Sequence, residues 1–304
     1  MRMTTCEYRI DAILADHLEA KTIPTVDVYV IRLLDRREIS STIRLLEKVF
    51  PMPIDLVHLK RVRFQRDKEQ IDIIVGKKEV LSVELIGKGL KEIAYQDLHV
   101  EKVASHRAFN RWQYESSSLL WPLNFFEDKR TTSLLDGTYF GVDKKQSICD
   151  IMHKLLKQSL SEKKSFGAVV CDEKVLVQAE GANEYHPLRH SSMNLIDKIA
   201  ASQGGGFWYT GNVHIEEQDP SAYLCTDLDI YLTCEPCLMC SMGLLHSRVR
   251  RIFFFHDQTE TRANSGQLSI GCCPADGSLI KMKIHSNPDM NHRFEAWKIS
   301  RTCS

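Results

Sequence analysis

Residues 229–255, DIYLTCEPCLMCSMGLLHSRVRRIFFF, decide the fold. DIYLTCE is a short apolar run rich in residues that favour strands. Pro236 suits the first turn of a helix, where its missing N–H has no intrahelical partner to lose. The following CLMCSMGLLHSRV has an apolar pattern compatible with a helix, and RRIFFF returns as a strand. Strand, helix and strand in this order predict a sheet with helices packed on its faces. Cys237 and Cys240 stand three apart, so they share one face of the helix. Both fall at its N-terminus, where the dipole favours thiolate. Cys234 extends the run to CEPCLMC and reads as a small buried strand residue.

A third ligand precedes this segment. HPLRHSSM (186–193) leads into SSMNLIDKIA, a helix with Met193, Ile196 and Ala200 expected inward. Zn²⁺ takes imidazole nitrogen and thiolate sulfur, and a catalytic site has three protein ligands and one open position. His190, Cys237 and Cys240 would supply that set from two helix starts. The layout is similar to the H-x-E…P-C-x-x-C signature of zinc nucleobase deaminases. The glutamate of that signature is replaced by Ser192. In such sites a carboxylate moves the proton between zinc-bound water and the base; a serine hydroxyl is not a proton carrier near neutral pH. Losing such a group typically costs about 10²–10⁴-fold. Glu235 is close in sequence, but its direction is set by the strand that precedes Pro236. The expectation is a metal site that has kept its ligands and lost its chemistry.

Outward from the ligands, KQSICDIMHKLLKQSL (145–160) is an amphipathic helix and FGAVVCDEKVLVQAE (166–180) a hairpin turning at Asp172–Glu173. The segment 201–224 is longer than a usual connection, which marks a flexible insert or a functional loop. Its Gly204, Gly205 and Gly206 match no phosphate-binding motif and are assigned flexibility alone. Residues 141–304 are thus expected to form a mixed sheet flanked by helices. Residues 1–105 are expected to form a smaller α+β domain. In it VDVYVIRL (26–33) alternates as a strand, and Ile39, Ile43, Leu46, Val49 and Phe50 have helical spacing. PMPIDLVHLKRVRF returns as a strand, and IDIIVGKKEVLSVEL gives a strand with a turn around Gly76 and Lys77. This order is consistent with a ferredoxin-like layout, which it shares with other folds. Residues 106–140 read as a connector packed on the second domain by Trp112, Trp121, Phe125 and Phe126. In LKRVRFQR, Lys60, Arg61, Arg63 and Arg66 surround Phe64, the charge and aromatic footprint of a nucleic-acid contact. A strand with a solvated polar face is the plainer alternative.

A hydrophobic share of 43%, a charged share of 26% and zero net charge fit a globular protein and exclude a strongly basic arm. No apolar run is long enough to predict a transmembrane helix. MRMTTCEYRIDAIL has no hydrophobic signal core, and ten cysteines without one argue for reduced thiols. The expected location is intracellular, cytoplasm or nucleus.

YLCTDLDIYLTCEPCLMCSMGLLHSRVRRIFF and HPLRHSSMNLID resemble the non-catalytic subunit of eukaryotic tRNA adenosine deaminase, in the cytidine deaminase superfamily. NPDMNHRFEAWK resembles that family's N-H-R motif at Asn291, His292 and Arg293, and WPLNFFEDK resembles its connector. The resemblance implies a cytidine-deaminase-like fold with Zn²⁺ on His190, Cys237 and Cys240. It also implies a heterodimer with a catalytic subunit that keeps the glutamate. Together the two would convert adenosine to inosine at the anticodon wobble position, with tRNA held in part by the N-terminal domain. Members typically carry a hydrophobic residue where Ser192 stands. The resemblance further implies a C-terminal tail near the site, and Cys303 or the terminal carboxylate would fill the fourth zinc position. His246, Ser247 and Arg248 resemble a motif shared by tRNA deaminases and mark a partner interface; an ordinary helix C-terminus explains them equally. Two other readings stay open: a free-standing zinc deaminase using another acid, and a zinc-stabilised protein-interaction module.

Overall fold

The computed structural model describes residues 8–65, 70–181, 186, 188–208, 223–256 and 279–302. The strands are β1 (Tyr8–Ile13), β2 (Thr25–Leu33), β3 (Val62–Gln65), β4 (Gln70–Lys77), β5 (Tyr95–Ala104), β6 (Phe166–Cys171), β7 (Lys174–Glu180), β8 (Asp229–Leu232), β9 (Arg251–Phe255) and β10 (Glu295–Arg301). The helices are α1 (Asp16–Glu19), α2 (Ile39–Val49), α3 (Val83–Gly89), α4 (Arg111–Ser118), α5 (Lys129–Leu135), α6 (Val142–Glu162), α7 (Ser191–Ser202), α8 (Leu238–His246) and α9 (Leu279–Met282). The chain divides into a unit of residues 16–132 and a unit of residues 1–15 with 133–304.

In the 16–132 unit the sheet order is β3-β4-β2-β5 and every neighbouring pair is antiparallel. With α2 and α3 between the strands, this is the split β-α-β topology of ferredoxin-like domains. Both faces of the central strands are covered. Ile31, Leu33, Ile71, Ile73 and Val75 pack with Leu46 and Phe50, at the end of α2, and with Ile86 and Leu90, at the end of α3. On the opposite face Val28, Val30, Ile74 and Val103 pack with Leu56, Leu59, Trp121 and Leu123.

That second layer corrects the expected boundaries. The stretch up to Thr132 belongs to this unit, because Trp121 and Leu123 fill a sheet face that would otherwise be wet. Trp121 Nε1 donates to the Lys60 carbonyl at 2.6 Å, and the Gln113 amide donates to the His17 and Ala20 carbonyls. Phe125 stacks on Tyr114, whereas Phe126 and Trp112 are exposed. Only 133–140 joins the other unit, through Leu134, Tyr139 and Phe140.

In the second unit the order is β1-β10-β9-β8-β6-β7. β8, β9 and β10 are parallel, while β1, β6 and β7 pair antiparallel, so the sheet is mixed. Burial on both faces explains the unbroken apolar runs of β8 and β9. Val169, Ile230, Leu232, Ile252 and Phe254 pack with Leu195, Ile199 and Leu244 from α7 and α8. Ala168, Val170, Tyr231, Phe253 and Trp297 pack on the other side with Ile148, Met152 and Leu155 of α6. The hairpin turns where expected: Asp172 and Glu173 both have positive φ (45° and 70°), as a tight hairpin turn demands. β1 precedes the 16–132 unit in sequence yet forms the outer strand beside β10, so residues 8–15 belong to this unit and not to the N-terminal domain.

Candidate metal centre

Two helix starts meet at the centre. His190 is the N-cap of α7 and Cys237 the N-cap of α8, both with extended backbone (φ −67°, ψ 155° and φ −69°, ψ 175°). Their carbonyls accept the first helical bonds, from Asn194 at 2.9 Å and Ser241 at 2.8 Å. Cys240 follows one turn into α8 and is buried. His190 Nδ1 lies 3.2 Å from Cys240 Sγ and 3.7 Å from Cys237 Sγ, and the three ligand atoms all fall within 4.8 Å of one another. Ligands around one tetrahedral Zn²⁺ are separated by about 3.4–3.8 Å, so the spacing fits. Two soft sulfurs and an imidazole at helix N-termini suit that ion, since the dipoles support thiolate.

Ser192 stands where the signature has its acid. It is wholly buried, and its Oγ meets no hydrogen-bond partner among the described residues. Glu235 is committed elsewhere. One carboxylate oxygen accepts the Ile280 N–H at 2.8 Å, at the start of α9, and the other lies 3.4 Å from His256 Nδ1. The inward face of α7 is Ser192, Leu195 and Ile199, one position off the expected Met193, Ile196 and Ala200. Met193 and Ile196 instead lie along α8 beside Gly243, where an added Cβ would come within 3.0 Å of the Met193 sulfur.

Two residues of α7 were missed from sequence. Asn194 accepts from Arg189 Nε at 3.2 Å and donates to the Glu180 and Arg189 carbonyls, which fixes the approach to His190. The buried Asp197 takes the N–H groups of Phe207 and Trp208. Their signal was polarity on a helix whose other positions are largely apolar. Cys225 is a core thiol, its pKa pushed up to about 12 by burial.

Among the described residues, two arginines of the basic run are engaged within the fold. Arg61 Nη2 donates to the Phe50 carbonyl at the end of α2, and its Nε to the Ile74 carbonyl. Arg63 is paired with Asp72 at 2.8 Å and Glu101 at 2.7 Å, with its guanidinium 4.2 Å from the centre of the Trp121 ring. Both arginines are spent on the fold. Lys60 is exposed, Phe64 is exposed with the Arg36 guanidinium 5.0 Å from its ring centre, and Arg66 lies outside the described residues.

Of the expected interface residues, His246 and Arg248 are exposed and gather on Tyr223: His246 Nε2 lies 3.2 Å from the phenol oxygen, and Arg248 sits 4.9 Å from the ring centre. Ser247 does not join them. It is buried, and its Oγ donates to the Gly243 carbonyl as a helix cap. His292 bonds the Val249 carbonyl and Arg293 the Pro288 carbonyl, which ties the N-H-R segment down. Cys272, Cys273 and Cys303 lie outside the described residues. Among the described residues no helix is long and apolar enough to cross a membrane.

The family model for the cytidine and deoxycytidylate deaminase zinc-binding region matches residues 142–256, which contain all three candidate ligands. The chain is 31% identical to the probable inactive tRNA-specific adenosine deaminase-like protein 3 of Danio rerio, over 89% of this chain and 85% of that protein. It is 27% identical to the tRNA-specific adenosine deaminase subunit TAD3 of Saccharomyces cerevisiae, over 92% of this chain and 86% of that protein. The Schizosaccharomyces pombe subunit tad3 is 22% identical over 94% of this chain. With the fold, the ligand set and this near full-length similarity in agreement, the chain belongs to the family of TAD3 subunits and probable inactive deaminase-like proteins 3 of tRNA-specific adenosine deaminase.

Proposed function

We propose that this chain is the catalytically silent, zinc-binding subunit of a heteromeric tRNA adenosine deaminase that makes inosine at the wobble position. The observation that carries the reading is Ser192, a fully buried hydroxyl in the acid's place beside a complete ligand set. Glu235, whose carboxylate is held by Ile280 and His256, offers no replacement. Bound by His190, Cys237 and Cys240, a Zn²⁺ would supply folding free energy by joining the starts of α7 and α8. The catalytic subunit docks on the outer side of α8, where Leu238 and Met242 are half-exposed four residues apart and His246, Arg248 and Tyr223 cluster. tRNA contact by the 16–132 unit rests on Lys60 and on the Phe64–Arg36 pair, which replace Arg61 and Arg63 as its candidates. The test is inosine formation in tRNA by the purified chain alone and with the catalytic subunit. Activity only in the mixture is expected. Activity from this chain alone would establish the free-standing enzyme instead.

A further inference from the structure

Beside the ligand cluster, a second group of side chains gathers at the end of α7. α7 ends in a turn through Gly204–Gly206, in which Gly204 and Gly206 have positive φ (84° and 91°) and the Gly205 N–H bonds the Ala200 carbonyl at 2.7 Å. The expectation of mere flexibility is therefore corrected: a Cβ at Gly206 would press on Ala201 at 3.1 Å, so the turn needs glycine. It delivers Phe207 and Trp208, whose N–H groups are both taken by the buried Asp197 carboxylate, at 2.5 Å and at 3.1 and 3.2 Å. Trp208 is packed edge-on by His186, with ring centres 5.4 Å apart. The Arg189 guanidinium lies 5.8 Å from the Trp208 ring centre, held by its Nε on Asn194. Among the described residues the Nη atoms of Arg189 make no hydrogen bond or ion pair. Phe207, next to this supported indole, is 87% exposed.

An exposed aromatic ring costs free energy in water, and the backbone that carries this one is held by the Asp197 carboxylate. The arrangement joins a pre-positioned π-face with a cation whose Nη donors meet no partner among the described residues, in the residue just before the candidate ligand His190. Single-stranded RNA is gripped in this way: a base stacks on the ring, and a guanidinium stacks or takes a phosphate. A protein partner would also cover Phe207; the guanidinium beside Trp208 adds the phosphate or stacking contact that a single strand uses, and the test separates the two. We infer that Phe207, Trp208 and Arg189 form a stacking subsite for an unpaired base of the RNA. The inference rests on the proposed tRNA function and adds a contact on this subunit's own deaminase unit.

The test uses the full chain assembled with its catalytic subunit and, as probe, an anticodon stem-loop RNA carrying 2-aminopurine at single loop positions. Phe207→Ala is expected to weaken binding about tenfold, in line with the loss of one base–aromatic stack, and to abolish the quenching at one loop position. Phe207→Tyr should retain both. Phe207 is on the surface, so the alanine variant will fold, and its assembly with the partner is checked by gel filtration. Unchanged affinity and quenching in Phe207→Ala would overturn the inference and leave the function standing. Loss of assembly with normal RNA binding by the residual complex would overturn it in favour of a protein contact. No RNA binding by the wild-type complex would remove the functional reading itself.

Discussion

Ser192 is one side chain in an otherwise intact centre, and its surroundings say how the centre tolerates change. Its hydroxyl is enclosed and unpartnered among the described residues. A buried hydroxyl without a partner costs about 1–3 kcal/mol. Ser192→Ala is therefore expected to be as stable as the native chain or up to about 1 kcal/mol more so, with full inosine formation in the complex. A loss of activity in that variant would give the hydroxyl a role. Ser192→Glu places a carboxylate where no surface is exposed. Overpacking of this kind costs about 1–3 kcal/mol, and an unpaired buried charge adds to it. The variant should melt lower and form no inosine by itself. Recovery of activity in it would mean that the pocket retains the room and the water access of a working site.

At the scale of elements, the β3–β4 pair explains the intramolecular partners of the basic run. Arg63 stands directly opposite Asp72 in the ladder, and Arg32 reaches the same buried carboxylate at 3.0 Å. Pairing register decides that contact, and register is invisible in one sequence. Glu101 comes from β5, which lies still further along the chain. The candidate metal ligands Cys237 and Cys240 come together for the opposite reason: they stand three apart at one helix start, a local spacing that needs no knowledge of strand register. Arg63→Ala should lower stability by about 2 kcal/mol, the loss of charge-assisted bonds to Asp72 and Glu101 while Arg32 and Gln65 still hold Asp72, and the salt dependence of tRNA binding stays as it was. Lys60→Ala should reduce that salt slope by about one phosphate contact without a change in melting. Equal effects of the two on the slope would restore the expected patch. His58 adds a pH signature to this unit. Its Nε2 is bound to the Ala104 carbonyl, and burial holds its pKa below the ordinary histidine value of about 6.5. The folded unit thus resists a proton that the unfolded chain accepts. Its contribution is complete above about pH 6.5 and is lost as pH falls through that value toward the lower folded pKa. His58→Gln, which keeps an N–H donor, should flatten the decline in melting temperature below about pH 6.5; an equally steep decline would assign it to other groups.

For the whole molecule, the informative fact is that the N-terminal strand belongs to the C-terminal sheet. β1 is six residues long, and nothing in YRIDAI names β10 as its partner, so the break between units could not be placed at residue 15 from sequence. The same problem hid the attachment of Trp121, since an irregular segment has no period to read. The division predicts distinct behaviour. Residues 16–132 carry a closed four-stranded core with both faces covered and none of the zinc ligands. A fragment of those residues should fold alone, unfold cooperatively and ignore a chelator. Residues 133–304 without the first fifteen would leave β10 as an open edge, with Trp297 and Ile299 losing the cover of Ile10. An unpaired edge beside exposed apolar surface favours association between chains. That fragment should aggregate unless a peptide of residues 1–15 is supplied. In the full chain, zinc removal or Cys237→Ala should lower the melting of the ligand-bearing unit and split one transition into two. Calorimetry with and without chelator reads both. A single transition that shifts as a whole would mean that the two units unfold together, and a fragment 16–132 that fails to fold would refute the division itself.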